Sequence, residues 1–439
     1  MATREEIITS FEPARTTAGS PATGIYTRPL AIVTTLFFMW GFLTSLNDIL
    51  VPHLKSIFDL SYTHVMLVQF AFFSAYFLFS VPWSKVVNTI GYQKTMVVGL
   101  LTMGVGAVLF VPAASVPSFP LFLTALMILA AGITGLQVAA NPYVIVLGKP
   151  ETASSRLNLT QAFNSLGTTL APTLGGLLIL SAAPLAIEQL HQLAPQALHA
   201  YRVQQAASVK MPYIIISIAL VLLAVTIAKF KLPKIDDSHC CIGEKINDSI
   251  WKHPNLLFGA LGIFSYVGAE VSIGSFLVNY LGQPDIANFS AKVAAGYVSF
   301  YWGGAMVGRF IGAAVLQRFK TGRVLALCSV FTATLVAVSM LASGHLAMWS
   351  MIAVGFFNSI MFPSIFTLGV AELGRLTGSG SGLMNMAIVG GAIVPVIQGA
   401  IADRVGIHHA FFLPVICYLY ILFYALRGSM PNSERYQES

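Results

Sequence analysis

Charge is scarce in this chain. Only 9% of its 439 residues are Asp, Glu, Lys or Arg, against roughly 25% in soluble domains, which excludes an ordinary solvated surface. Cysteine is nearly absent too, with four in all, and no disulfide framework is implied. Cys328 and Cys417 fall in apolar runs, while Cys240 and Cys241 follow His239 with no second cluster to complete a tetrahedral zinc set. The expectation is reduced bystander thiols and no metal. A phosphate loop is missing as well: Gly378-Ser-Gly-Ser-Gly382 lacks the lysine and the preceding strand. No hydrolytic Ser, His and Cys arrangement is recognisable, so neither an enzyme nor a cofactor is expected.

What is present in quantity is apolar length. Hydrophobic residues make up 56% of the chain, in runs near the ~20 residues that cross a ~30 Å hydrocarbon core. Twelve such runs can be counted, at 30–51, 64–84, 95–113, 120–147, 157–182, 211–230, 255–281, 293–316, 322–343, 346–370, 380–402 and 407–426. Only helices and closed barrels can cross lipid, and unbroken runs of this length are helices. The expected fold is an all-α polytopic membrane protein with 12 transmembrane helices.

The net charge of +7 is a topology signal. With the N-terminus inside, the tails and even-numbered connections hold most of the basic residues, among them Arg28, Lys85, Lys94, Lys149, Arg156, Lys229, Lys231, Lys252, Lys320 and Arg323. The odd-numbered connections hold Lys55, Arg202, Lys210, Lys292 and Arg404. That asymmetry follows the positive-inside rule and places both termini in the cytoplasm. It does not resemble a nucleic-acid footprint. The first 28 residues lack the short apolar core of a cleavable signal.

The charged connection near 229–253 divides the runs six and six. The expected organisation is a tail at 1–28, a six-helix bundle at 29–230, a loop at 231–253, a second bundle at 254–427 and a tail at 428–439. The other long connection, Ala182 to Lys210, has broken amphipathic spacing and reads as partly helical. A weak internal repeat supports the division. Asn141-Pro142 through Leu147-Gly148 closes the fourth run, and Phe362-Pro363 through Leu368-Gly369 closes the tenth, with identical spacing. Paired six-helix repeats around a midplane cavity are a transporter layout.

Asp48 is the first marker of a polar pathway, because an ionised Asp at a helix centre costs ~2.5–3.5 kcal/mol. Trp40, Thr44, Asn47 and Asp48 share one helical face, a stripe able to hydrogen-bond sugar hydroxyls and to stack on an apolar sugar face. The competing interpretation is a structural Asp bonded to nearby backbone. Gln137 and Asn141 lie one turn apart on the fourth run, and Asn158, Gln161 and Asn164 form a stripe on the fifth, followed by Gly167. Carboxamides both donate and accept, but they also serve as glue between membrane helices. In the second half, Glu270 is either a second proton site, a sugar ligand or a paired structural acid. Asn279, Trp302, Asn358 and Asn385 are candidate cavity residues, and Phe362 a candidate aromatic wall. Arg309, near the end of the eighth run, is expected to snorkel. Glycines at 99–106, 303–308 and 390–399 mark close helix packing.

The segments LNDIL (46–50), ANPYVIVLG (140–148), SRLNLTQAFNSLG (155–167) and PSIFTLG (363–369) resemble the fucose permease group of the major facilitator superfamily. The resemblance runs over most of 28–427 and is closest to the group's glucose/galactose members. It implies two six-helix bundles, a central sugar site and proton-coupled import by alternating access, and the expectation is a monomer in a bacterial inner membrane. It further implies that Asp48 takes part in proton coupling and Asn164 in the sugar site. The chain departs from the group where a fourth-helix Glu is linked to coupling, since Gln137 stands there and cannot titrate. Either Asp48 works alone, or Glu270 substitutes from across the cavity, or coupling is weakened. Alternatives are a fucose or N-acetylglucosamine carrier, an uncoupled facilitator, and a sugar sensor that does not transport.

Overall fold

The computed structural model describes residues 27–58, 62–115, 118–179, 210–233 and 249–430, with short pieces between 193 and 204; for 46–58, 62–67, 69, 172–179 and 291 it describes backbone only. His239, Cys240, Cys241 and most of the connection from Ala182 to Lys210 lie outside the described residues. Every regular element described is helical. The first bundle contains α1 (Thr27–Phe58), α2 (Tyr62–Ile90), α3 (Tyr92–Ser115), α4 (Phe119–Val146), α5 (Ala153–Ile179) and α6 (Lys210–Lys229). The second contains α7 (Pro254–Leu281), α8 (Ala291–Val315), α9 (Thr321–Leu341), α10 (Gly344–Asn358), α11 (Met361–Gly369), α12 (Thr377–Met386), α13 (Gly390–Val405), α14 (Ile407–Ala410) and α15 (Phe412–Phe423).

Helices α10 and α11 form one broken span, as do α12 with α13 and α14 with α15. Among the described residues the helices therefore group into twelve, as the apolar runs require. Among the described residues, ten segments are long and apolar enough to cross a membrane by length and composition. Helices α5 and α8 are not among them, because each carries polar residues in its interior. The two pack against each other across the bundle interface, so their polarity faces protein and not lipid.

Within the first bundle, α3 packs on α4 and α6, α1 on α5, and α2 on α4. Within the second, α7 packs on α11, α13 and α15, and α10 on α8 and α9. Between bundles, α5 meets α8, and α12 meets α2 and α4. The cross-bundle hydrogen bonds gather toward the end that carries Lys85, Lys94, Lys149, Arg318, Lys320 and Arg323, here termed the basic end. They join Asn88 to Ser379, Ser154 to Thr321, Ser155 to the Ala313 carbonyl and Asn158 to the Arg309 carbonyl. Farther from that end, Phe73 lies against Gly391 and Thr169 against Met306.

The repeat is a pair of proline breaks. Proline has no amide hydrogen, so the carbonyl four residues before it loses its helical partner. Pro142 lies inside α4 and leaves Val138 O free, and Ser381 of α12 donates its hydroxyl to it at 2.9 Å. Pro363 stands in the first turn of α11 and leaves Ser359 O free, and Arg309 Nε donates to it at 3.3 Å. The interruption between α10 and α11 follows from the same cause. Apolar-run counting missed it because it measures hydropathy and not backbone bonding.

Helix α5 also begins four residues before its apolar run. Ser154, Ser155 and Arg156 are polar, yet all are satisfied by protein. Arg156 folds back on the end of α4 and donates to the carbonyls of Val144, Ile145 and Lys149 at 3.2, 2.6 and 2.8 Å. A cation there also suits the negative end of the α4 dipole. Asn255 caps α11 in the corresponding way, donating to Leu368, Gly369 and Ala371 carbonyls at 3.3–3.4 Å.

Candidate functional site

In the first bundle, polar side chains meet at two places. Trp40 is buried and its ring lies 4.5 Å from that of Phe37, one turn away on α1. The Phe37 carbonyl receives Asn164 Nδ2 from α5 at 2.9 Å. This bond requires α1 and α5 to approach closely, and Gly41 makes that possible, since a side-chain carbon there would collide with the Asn164 backbone. Asn164 Oδ1 carries no hydrogen bond among the described residues. Asn47 and Asp48 lie on α1 beyond this point, but their side chains lie outside the described residues.

The second place is on α4. Gln137 Nε2 donates to Tyr76 Oη of α2 at 2.8 Å, with both side chains buried. One turn on, Asn141 is fully buried, and neither amide atom has a protein partner among the described residues. A buried polar atom without a partner costs about 1–3 kcal/mol, which marks Asn141 as a residue held for something other than packing. Asn385 of α12 is also fully buried and donates to Ser381 O at 2.9 Å, while Ser381 Oγ donates to the Val138 carbonyl of α4.

The amide stripe on α5 divides. Asn158 Nδ2 donates to the Arg309 carbonyl at 2.7 Å, so Asn158 is bundle glue. Asn164 ties α1 to α5. Gln161 is buried with no hydrogen bond to any described residue.

In the second bundle the polar groups form a denser network. Glu270 on α7 accepts the Tyr266 hydroxyl at 2.7 Å and faces Arg309 Nη2 of α8 at 3.8 Å. Both members of the ion pair are 13% exposed. Arg309 Nη1 donates to Ser165 Oγ of α5. The snorkelling expected for Arg309 is therefore not what the fold does: the side chain turns inward, because Glu270, Ser359 and Ser165 all lie within reach. Breaking a buried pair by removing one partner costs roughly 3–5 kcal/mol. Asn358 is fully buried and donates to Tyr301 Oη at 2.9 Å. The Phe362 ring lies 6.5 Å from that of Tyr266, which places it at the edge of this network. Asn279 is exposed, and Trp302 is 41% exposed beneath Gly274. No described hydrogen bond links either of those side chains to the network.

The buried polar groups thus comprise several amides and a Trp on one bundle, and an acid with a tyrosine, an arginine and a phenylalanine on the other. Carboxamides and a carboxylate can read hydroxyl groups in both directions, and the aromatic rings can cover an apolar face. Residues missed from sequence include Tyr76, Tyr266, Tyr301, Ser165 and Ser381. The proline spacing could have flagged the carbonyls of Val138 and Ser359, but nothing local to the sequence names their donors.

Comparison with known proteins agrees with this architecture. Residues 32–394 match the Major Facilitator Superfamily. A glucose/galactose transporter of Brucella abortus is 52% identical over 400 residues, covering 91% of this chain and 94% of its own. The L-fucose-proton symporter of Escherichia coli is 34% identical over 407 residues, covering 91% and 93%. A solved structure of the transporter FucP, in its outward conformation, superposes with a TM-score of 0.85 at 34% identity, covering 92% of this chain and 99% of that one.

Proposed function

The chain belongs to the Major Facilitator Superfamily, and we propose that it imports a hexose of the glucose/galactose type together with protons, by alternating access between its two bundles. What supports this reading is that the chain is 52% identical to a glucose/galactose transporter and 34% identical to an L-fucose-proton symporter, with buried amides on one bundle and a buried acid on the other. It is a transporter and not an enzyme. The basic end is assigned to the cytoplasm by its Lys and Arg content, with both termini on that side and the protein in a bacterial inner membrane. The bundles are assigned to 29–230 and 254–427, and the working unit to a single chain in the bilayer.

With the basic end closed, the structure corresponds to an outward-facing carrier. Sugar enters between the bundles and binds Trp40, Asn47, Gln137, Asn141, Gln161 and Asn164 on one wall. Asn358, Phe362 and Asn385 bind it on the other. A proton taken up from the outer side either neutralises Asp48, removing a charge that would otherwise oppose occlusion, or neutralises Glu270 and frees its partner Arg309. The bundles then rock and open the cytoplasmic end. One proton moving down ~100 mV supplies ~2.3 kcal/mol, enough to concentrate sugar severalfold or more.

The test is sugar-induced alkalinisation outside proteoliposomes, run over glucose, galactose, fucose and N-acetylglucosamine. A pH rise with glucose or galactose is expected. Sugar flux without a pH change would make the protein a facilitator, and binding without flux would make it a sensor.

A further inference from the structure

Arg309 divides its guanidinium among three elements. Nη1 donates to Ser165 Oγ on α5, in the opposite bundle. Nε donates to Ser359 O at 3.3 Å, the carbonyl freed by Pro363. Nη2 faces Glu270 Oε1 at 3.8 Å on α7, and Tyr266 holds that same oxygen at 2.7 Å. The Arg309 backbone carbonyl also receives Asn158 Nδ2 from α5 at 2.7 Å. One residue therefore supplies the counter-charge of Glu270 and two bonds between the bundles, one at the basic end through its carbonyl and one about midway along α5 through its side chain.

We propose that Arg309 transmits the charge state of Glu270 to the cytoplasmic gate. While Glu270 is ionised, the ion pair holds the guanidinium where it reaches Ser165 and the bundles stay together. When Glu270 takes up a proton, the pair is broken and the gate loosens. The proposal rests on the proton-coupled reading above and deepens it, by naming the positioning residue that stands between the proton and the gate.

The physical argument is one of charge balance. A guanidinium cannot give up its own proton in a protein. Once Glu270 is neutral, the buried cation is left with uncharged acceptors, and a buried charge without its counter-ion is strongly unfavourable. Movement of the cation toward water relieves this, and the bond to Ser165 is lost with it. The direction suits import, because a proton arriving from outside weakens the inside closure. The step is a proton added to a carboxylate, and no covalent bond of the protein changes.

No third charge buffers the pair among the described residues. The titratable groups that face Glu270 are Tyr266 on its own helix, Arg309 and Tyr301 on α8, and Tyr418 on α15. Helices α11 and α12 carry no ionisable side chain, and α13 carries Asp403 and Arg404 in its last turn only.

The gate can be read away from Arg309. Asn88 on α2 and Ser379 on α12 are hydrogen-bonded at 3.0 Å on the other side of the interface. Cysteines placed at both, in full-length protein whose four native cysteines are replaced and whose uptake persists, report closure through a short bifunctional thiosulfonate. Cross-linking of the parent is expected to fall severalfold from mildly alkaline to mildly acidic pH. Glu270→Gln is expected to give the low yield at every pH. Ser165→Ala should lower the yield and flatten its pH response, and Ser165→Thr should restore both. The doubly neutral Glu270→Gln/Arg309→Gln, which leaves no unpaired charge to unfold the protein, should be independent of pH.

A pH response that survives in the double variant, or a Glu270→Gln yield equal to the parent's, would overturn the proposal. Sugar-induced alkalinisation in the same vesicles separates this from the functional reading. If it is absent while the Glu270-dependent gate response remains, symport fails and the gate mechanism stands.

Discussion

The carbonyl of Val138, which Pro142 leaves without an amide, accepts the Ser381 hydroxyl of the opposite bundle at 2.9 Å. A defect within one helix has become a bond between two bundles. Replacing Pro142 with Ala supplies an amide that competes for Val138 O, so the helix gains what the interface loses. A net hydrogen bond is worth about 1 kcal/mol, roughly fivefold in the open-to-closed ratio of the basic end. Pro142→Ala is expected to hold or raise thermal stability while cutting Asn88–Ser379 cross-linking about fivefold. An unchanged cross-linking yield would remove the Val138–Ser381 bond from the closure.

Gly382 sets how closely α12 can approach α2. A side-chain carbon at 382 would lie 2.6 Å from Ser84 Cβ, inside van der Waals contact. Overpacking of this kind costs about 1–3 kcal/mol, and here only the closed basic end bears the cost. Gly382→Val is expected to increase labelling of Ser84→Cys from the inner side and to slow sugar accumulation. Labelling equal to the parent's would show that the two helices part without resistance.

Asn141 separates binding from stability. It makes no side-chain bond to any described residue, so Asn141→Ala removes no protein contact of that kind. Loss of a sugar hydrogen bond at about 1–3 kcal/mol corresponds to roughly a 5- to 150-fold weaker half-saturation. Uptake kinetics are expected to show this with little change in melting temperature. A lowered melting temperature with unaltered half-saturation would assign Asn141 to packing.

Asp48 and Glu270 divide the proton question. Asp48→Asn is expected to lose accumulation driven by a pH gradient while keeping exchange of internal for external sugar, since exchange needs no net proton movement. Transport assays under gradient and counterflow conditions check this directly. Undiminished accumulation would leave Glu270 as the coupling acid.

The spans were legible because membrane crossing is a local requirement: each helix must bury its own backbone over a fixed length. The buried amides on α4 and α5 were legible for the same reason, as spacing along one helix decides which side chains share a face. The uses to which those amides are put were not. Asn158 and Asn164 lie on one stripe, yet the first joins the bundles and the second ties α1 to α5. Arg309 invited the snorkelling interpretation because it stands two turns from the end of α8. Nothing in that helix announces Glu270, Ser359 and Ser165, which come from α7, the break before α11, and α5.

Sequence alone determined an all-helical membrane chain, its division into two halves, and which helices carry polar faces. It also contained the two prolines, whose missing amides free Val138 and Ser359 whatever surrounds them. Only the tertiary structure decided what fills those two acceptors: a serine across the interface for one, a buried arginine for the other. The reason is that a freed carbonyl accepts any donor the packing brings within reach, and packing here joins residues 243 and 50 positions apart.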